Sequence, residues 1–270
     1  MKVYRKELEV LGSPLIVGFD VEWTKNYQMK NANKAFCFSL VWVRAGESCD
    51  VAALEDSLDF GFVLGYVESE EECQQLCRGA NSYVSEILSP HNVVVGHQFS
   101  SDVSVLLACS EDGALPAVEM LQQAWRARQQ PLEGKAVGIF DTRYDLPTSK
   151  DAESNKLVNV CPAWNLEVTQ PEIKGSMTKM QRDFYQKHSL LILEKIAVLN
   201  IRHSLSSVLL YLFHRYGRPM HPVNINSILY RNLYEQFEYV RSERFAGLLR
   251  ELPPKIPSDS TTVHHAVLAL

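Results

Sequence analysis

Asp20 and Glu22 stand two residues apart in the apolar run LIVGFDVEW at 15–23. A β-strand repeats every two residues, so both carboxylates leave the same face. Side by side on a half-buried surface, two anions lose water and repel each other. A bound cation removes both penalties. Such a cation uses several ligands, so the pair directs attention to acidic residues further along. Asp102 follows in VVVGHQFSSDVSVLL at 93–107, where a short apolar strand passes into a helix start. The strand carries the chain to the sheet edge and the helix start presents a carboxylate there. An aspartate in a first helical turn also serves the helix dipole, and both readings stay open. Asp141, closing the strand in GIFDTRY, is either an accessory carboxylate or a turn former.

The elements that must position these groups follow from periodicity. Strands are expected at 15–23, 34–44 and 59–68, close enough in sequence to form an antiparallel meander. A helix is expected at 69–88, started by Ser69 and the glutamates after it. Further expectations are a strand at 93–96, helices from Ser100 or Ser101 to 110 and over 115–130, and a strand at 136–143. The stretch 145–175 is irregular, with LVNVCPAWNLEV at 157–168 as a hairpin inside it. The remainder is helical: 177–198, 204–217 stopped by Gly217, a helix after Pro222, and a last one ending near Leu252. The whole is an α/β chain, a mixed sheet followed by a helical C-terminal half. Residues 1–252 form one domain and 253–270 a tail.

Composition suits a folded globular protein: 270 residues, 46% hydrophobic and 22% charged. No apolar run reaches the roughly 18 residues of a membrane span, and the first residues do not read as a signal peptide. The formal net charge of −5 is unevenly spread. Residues 1–112 carry 8 Lys+Arg against 17 Asp+Glu, and residues 174–250 carry 12 against 5. A basic half facing an acidic half is compatible with a phosphate backbone crossing an acidic metal site. The six cysteines form no CxxC pair. They read as free thiols of a reducing cytoplasmic or nuclear compartment, not as zinc ligands. His203, His214 and His221 show no ligand spacing, and Trp42, Trp125 and Trp164 suggest no role.

Taken together, these segments resemble the DEDD (DnaQ-like) family of 3′–5′ exonucleases. GFDVEW resembles the family's Asp-x-Glu first motif. GHQFSSDVSVL at 96–106 resembles the second, with Asp102 on its aspartate, Gln98 for the usual Asn, and Ser101 where Phe is common. FDTRY at 140–144 resembles the strand found after the second motif in proofreading domains. SLSSVLLYLFHRYGR resembles the helix ahead of the last motif. That last motif, Tyr-x-x-x-Asp or a His with an Asp five residues on, has no direct counterpart, because no aspartate occurs between Asp183 and Asp259. The nearest match is Tyr239 with Glu243, backed by the apolar stripe Phe245, Leu248, Leu249 and Leu252 and similar to the exonuclease domain of family B DNA polymerases. Tyr234 with Glu238 is the alternative register.

The resemblance implies a ribonuclease-H-like sheet, three antiparallel strands then short parallel ones, flanked by helices. It also implies a metal-dependent exonuclease releasing 5′-mononucleotides from the 3′ end of DNA. Two Mg²⁺ or Mn²⁺ ions would sit about 4 Å apart, held by Asp20, Glu22, Asp102 and Glu243. Asp20 would bridge them, and Tyr239 would orient the attacking water, being protonated at neutral pH. Trp23 and Phe99 would hold terminal bases, and Lys25, Arg143, Arg241 and Arg244 would contact phosphates. The implied partners are nucleic acid, DNA ahead of RNA, and a polymerase or another replication, repair or defence factor. Alternative readings are an exoribonuclease, and a weakened exonuclease fold serving as a nucleic-acid-binding or protein-interaction scaffold.

Overall fold

The computed structural model describes residues 1–8, 14–24, 33–46, 49–110, 113–131, 135–147, 154–169 and 175–249. Six strands form one mixed sheet: β1 (Lys2–Lys6), β2 (Leu15–Thr24), β3 (Lys34–Arg44), β4 (Gly61–Tyr66), β5 (Val93–Gly96) and β6 (Gly138–Asp141), in the order β1-β4-β3-β2-β5-β6. The pairs β2–β3, β3–β4 and β1–β4 are antiparallel, whereas β5 runs parallel to β2 and β6 parallel to β5. β3 reads KAFCFSLVWVR and is buried on both faces through its length, as an unbroken apolar run requires. The strand order reverses between β2 and β5. In open α/β sheets the crevice beyond the carboxyl ends of strands at such a point is where ligands bind, and Asp20 and Glu22 lie toward that end of β2.

Helices cover both faces. In chain order they are α1 (Leu54–Ser57), α2 (Cys73–Ile87), α3 (Phe99–Cys109), α4 (Pro116–Arg126), α5 (Leu157–Ala163), α6 (Met177–Lys187), α7 (Leu190–Tyr216), α8 (Ile225–Leu233), α9 (Glu238–Arg241) and α10 (Glu243–Ala246). The period-two rule sorts β2 between the layers. Phe19 packs edge-on against Phe99 of α3 on one face, and Gly18 and Asp20 turn to α7 on the other. Gly18 is required there. A β-carbon at this position would stand 2.2 Å from the Ser204 carbonyl oxygen, backbone against backbone. Its absence lets α7 settle onto the sheet, and the buried Ser39–Ser204 hydroxyl bond of 2.7 Å pins the contact from β3.

Several expectations are corrected. β1 was not foreseen, because KVYRK is short and charged; it pairs along the edge of the sheet with β4. The two helices expected over 177–198 and 204–217 are divided elsewhere. α6 ends at His188 in a left-handed conformation (φ 48°), and α7 then runs unbroken for 27 residues. Asn200 and His203, in the gap left between the two expected helices, form a polar notch on this mostly buried helix. α7 is long and apolar enough to cross a membrane, yet 89% of its most apolar window is buried inside this fold. The expected hairpin at 157–168 is instead α5 followed by a two-residue strand, β7 (Leu166–Glu167). β7 pairs in parallel with β8 (Val223–Asn224). Ser69 makes no side-chain cap to the 3₁₀ turn that precedes α2. The tail 253–270 and Leu252 lie outside the described residues.

Candidate metal site

Asp20 and Glu22 are neighbours on one face of β2, with backbones paired to Ser39 and Cys37 of β3. Two side chains of α7, one turn apart, meet them. Asn200 Nδ2 donates to Asp20 Oδ2 at 2.6 Å, and His203 Nδ1 lies 2.9 Å from Glu22 Oε1 and 3.5 Å from Asp20 Oδ2. Asp102 approaches from α3. Its Oδ1 accepts a bond from Trp23 Nε1 at 3.3 Å. Asp20, Glu22, Asp102 and His203 share a pocket of about 460 Å³. Its wall also includes Trp23 and residues 176–178, where α6 begins under the Ser176 side-chain cap.

Asp141 sets the loop that delivers Asp102. Fully buried at the end of β6, it accepts the backbone N–H groups of Gln98, Phe99 and Arg143 and the Trp125 indole N–H, all at 2.9–3.0 Å. Gln98 is thereby held in the left-handed region (φ 61°), a conformation costing about 1 kcal/mol or more for a residue with a side chain. The turn swings the chain out of β5 and straight into α3, with Asp102 in its first turn. Of its two sequence readings, Asp141 is therefore the turn former.

The pocket favours the protonated forms of three of its groups. Burial and then the Asp20 charge raise the Glu22 pKa, and the hydrogen bond from His203 opposes the rise. Burial followed by Asp20 lifts Asp102 well above the carboxylate range. Burial alone would lower His203, but its hydrogen bonds to Asp20 and Glu22 and their charges outweigh it and push it up to about 10. As the chain stands, the imidazolium serves as internal counterion to the two acids.

The residues fit a divalent ion on two observations. One ligand atom each from Asp20, Glu22 and His203 lies within 4.8 Å of the others. In addition, Asp102 Oδ2 is buried with no hydrogen-bond partner among the described residues, a state costing about 1–3 kcal/mol. A cation would take up that lone oxygen and displace the proton from His203.

Asp20, Glu22, Asp102 and Trp23 are thus brought together, and Tyr239 and Glu243 are not among the pocket residues. Tyr239 is 1% exposed, packed edge-on against Phe245, with its backbone N–H on Glu194 of α7. Glu194 precedes His203 by nine residues, roughly 13 Å along the helix. Glu243 is exposed at the start of α10. The alternative register fares no better: Glu238 is exposed near Arg241, and Tyr234 packs on Tyr230. Phe99 is a core residue at 0% exposure, not a base clamp. Arg143 bonds the Gln98 side chain beside the site loop, Arg241 and Arg244 are exposed on α9 and α10, and Lys25 lies outside the described residues. Asn200 and His203 went unrecognised in the sequence. The available signal was the spacing Asn200, His203, Ser204, Ser207, a polar stripe at i, i+3, i+4 and i+7 on an otherwise apolar helix. Comparison with known proteins finds no matching family model, no matching curated protein and no matching solved structure.

Proposed function

We propose that this chain is a metal-dependent 3′–5′ exonuclease with a ribonuclease-H-like sheet, acting on nucleic acid, with DNA the first substrate to test. The observation that carries this reading is the convergence of Asp20, Glu22, Asp102 and His203 on one pocket at the strand-order reversal. The sheet supports it, since β2, β3 and β4 are antiparallel and β5 and β6 are short and parallel to β2. The fourth position, which the resemblance gave to Glu243, falls to His203 on the helix packed against β2.

Asp20, Glu22 and His203 would hold one ion, with Asp102 and Asp20 offering oxygens to a second. When bound, such ions activate a water for attack on phosphorus and stabilise the leaving 3′ oxygen. The chain's own residues supply the rest. His203 must be neutral to ligate, and its nitrogen moves the preference from Mg²⁺ toward Mn²⁺. Trp23 is held over the pocket by Asp102 and offers an aromatic face to a terminal base. The first turn of α6 directs the positive end of its helix dipole at the pocket wall, where a phosphate would lie. Incubation of end-labelled single- and double-stranded DNA and RNA with Mn²⁺ or Mg²⁺ tests the proposal. Stepwise shortening from the 3′ end that is lost in Asp20→Asn supports it; shortening that persists unchanged in that variant sinks it.

A second reading is favoured by a separate observation. Asn200 and His203 already satisfy Asp20 and Glu22 without an ion, which is what a weakened fold kept as a nucleic-acid-binding scaffold would need. Retention of labelled single strands without any shortening in Mn²⁺ would select it.

A further inference from the structure

Cys73 and Cys77 lie one turn apart on α2, and Cys109 is the last residue of α3. All three are buried, and their sulfurs lie within 4.8 Å of one another. We infer that these three sulfurs form a structural thiolate site for a tetrahedral divalent cation of the Zn²⁺ type, separate from the carboxylate pocket. Tetrahedral zinc places thiolate sulfurs about 3.8 Å apart at Zn–S of about 2.3 Å. The cluster therefore needs only a small contraction to close on an ion.

Lys34 lies near Cys109. A neighbouring ammonium is one of the outer partners that steady thiolate ligands. Three thiolates and a divalent cation leave one negative charge, which Lys34 offsets. The fourth ligand is the Asn33 carbonyl oxygen, already 3.1 Å from Cys109 Sγ, or a solvent molecule in its place. The cysteines come from two separate helices, with Cys73 and Cys77 four residues apart, so no CxxC spacing announces them. The ion would tie α2, the end of α3 and the start of β3 together, and α3 carries Asp102 at its other end.

Co²⁺ titration of the reduced, metal-stripped protein tests this, because only sulfur ligands produce an intense near-ultraviolet thiolate-to-cobalt band. The expected result is a saturable band, displaced by Zn²⁺, abolished in Cys109→Ser and Cys73→Ser, and retained in Asp20→Asn. Absence of the band in the wild-type chain, or its survival in both serine variants, overturns the site. Thermal melting covers the case in which the serine variants do not fold. In Asp20→Asn, which disables the carboxylate pocket, Zn²⁺ should raise Tm, and an unchanged Tm overturns the site. Neither readout depends on nuclease activity, so the site and the proposed function can fail separately.

Discussion

His203 occupies the position on which the chemistry of the pocket depends. Without a cation it is a proton store, and Glu22, Asp102 and His203 all hold protons more tightly in the fold than in the unfolded chain. Groups with raised folded pKa values stabilise fully below their unfolded values and lose that contribution as pH rises through the folded ones. For His203 the window runs from 6.5 to about 10. Urea unfolding in chelator should therefore show stability falling from pH 6.5 toward 9.5, with a shallower fall in His203→Gln; an equal slope in the variant would contradict the pairing. Mn²⁺ affinity should rise over the same range, because ligation requires the neutral imidazole. Glu243→Gln should cost no more than about 1 kcal/mol, the helix-dipole contribution of an exposed first-turn carboxylate, by denaturant unfolding. The acids were legible in the sequence because a strand's period and a strand–helix junction are local patterns. His203 was not, since its partner Glu22 is 181 residues away and a polar notch in an apolar helix reads as a helix end.

At the level of elements, two contacts place the site. Gly18 allows α7 to lie against β2, and a methyl group there meets backbone, which cannot swing aside. Gly18→Ala should cost about 3 kcal/mol, the upper end for overpacking, and should weaken Mn²⁺ binding by moving His203. Denaturant unfolding and metal titration check the two effects. Asp141 fixes the β5–α3 turn through four accepted bonds. Asp141→Asn exchanges one accepting oxygen for a donor and should cost about 3 kcal/mol through buried N–H groups left unpaired. The strands β2 to β6 and helices α2 to α4 could be read from apolar runs and turn residues. The lengths of α6 and α7, the strand β1, and the β7–β8 pair could not, because each is decided by a partner distant in sequence.

On the scale of the molecule, the acidic first half of the chain supplies Asp20, Glu22 and Asp102, and the basic later part supplies the helix that closes over them. That division explains a pocket that is incomplete until both halves have packed. It also predicts that a divalent ion stabilises the fold as a whole: at a hundred times its dissociation constant Mn²⁺ should add about 2.7 kcal/mol to unfolding, and little in Asp20→Asn. The asymmetry of charge was visible in the sequence, but which helix the acids would meet was not, since Glu243 and His203 both belong to the later part. The most direct test is anomalous diffraction from crystals grown with Mn²⁺, recorded at the manganese edge. The account predicts a peak bonded to Asp20, Glu22 and His203, with Asp102 facing it. A pocket without a peak at saturating Mn²⁺, or a peak bonded to Glu243, would contradict it.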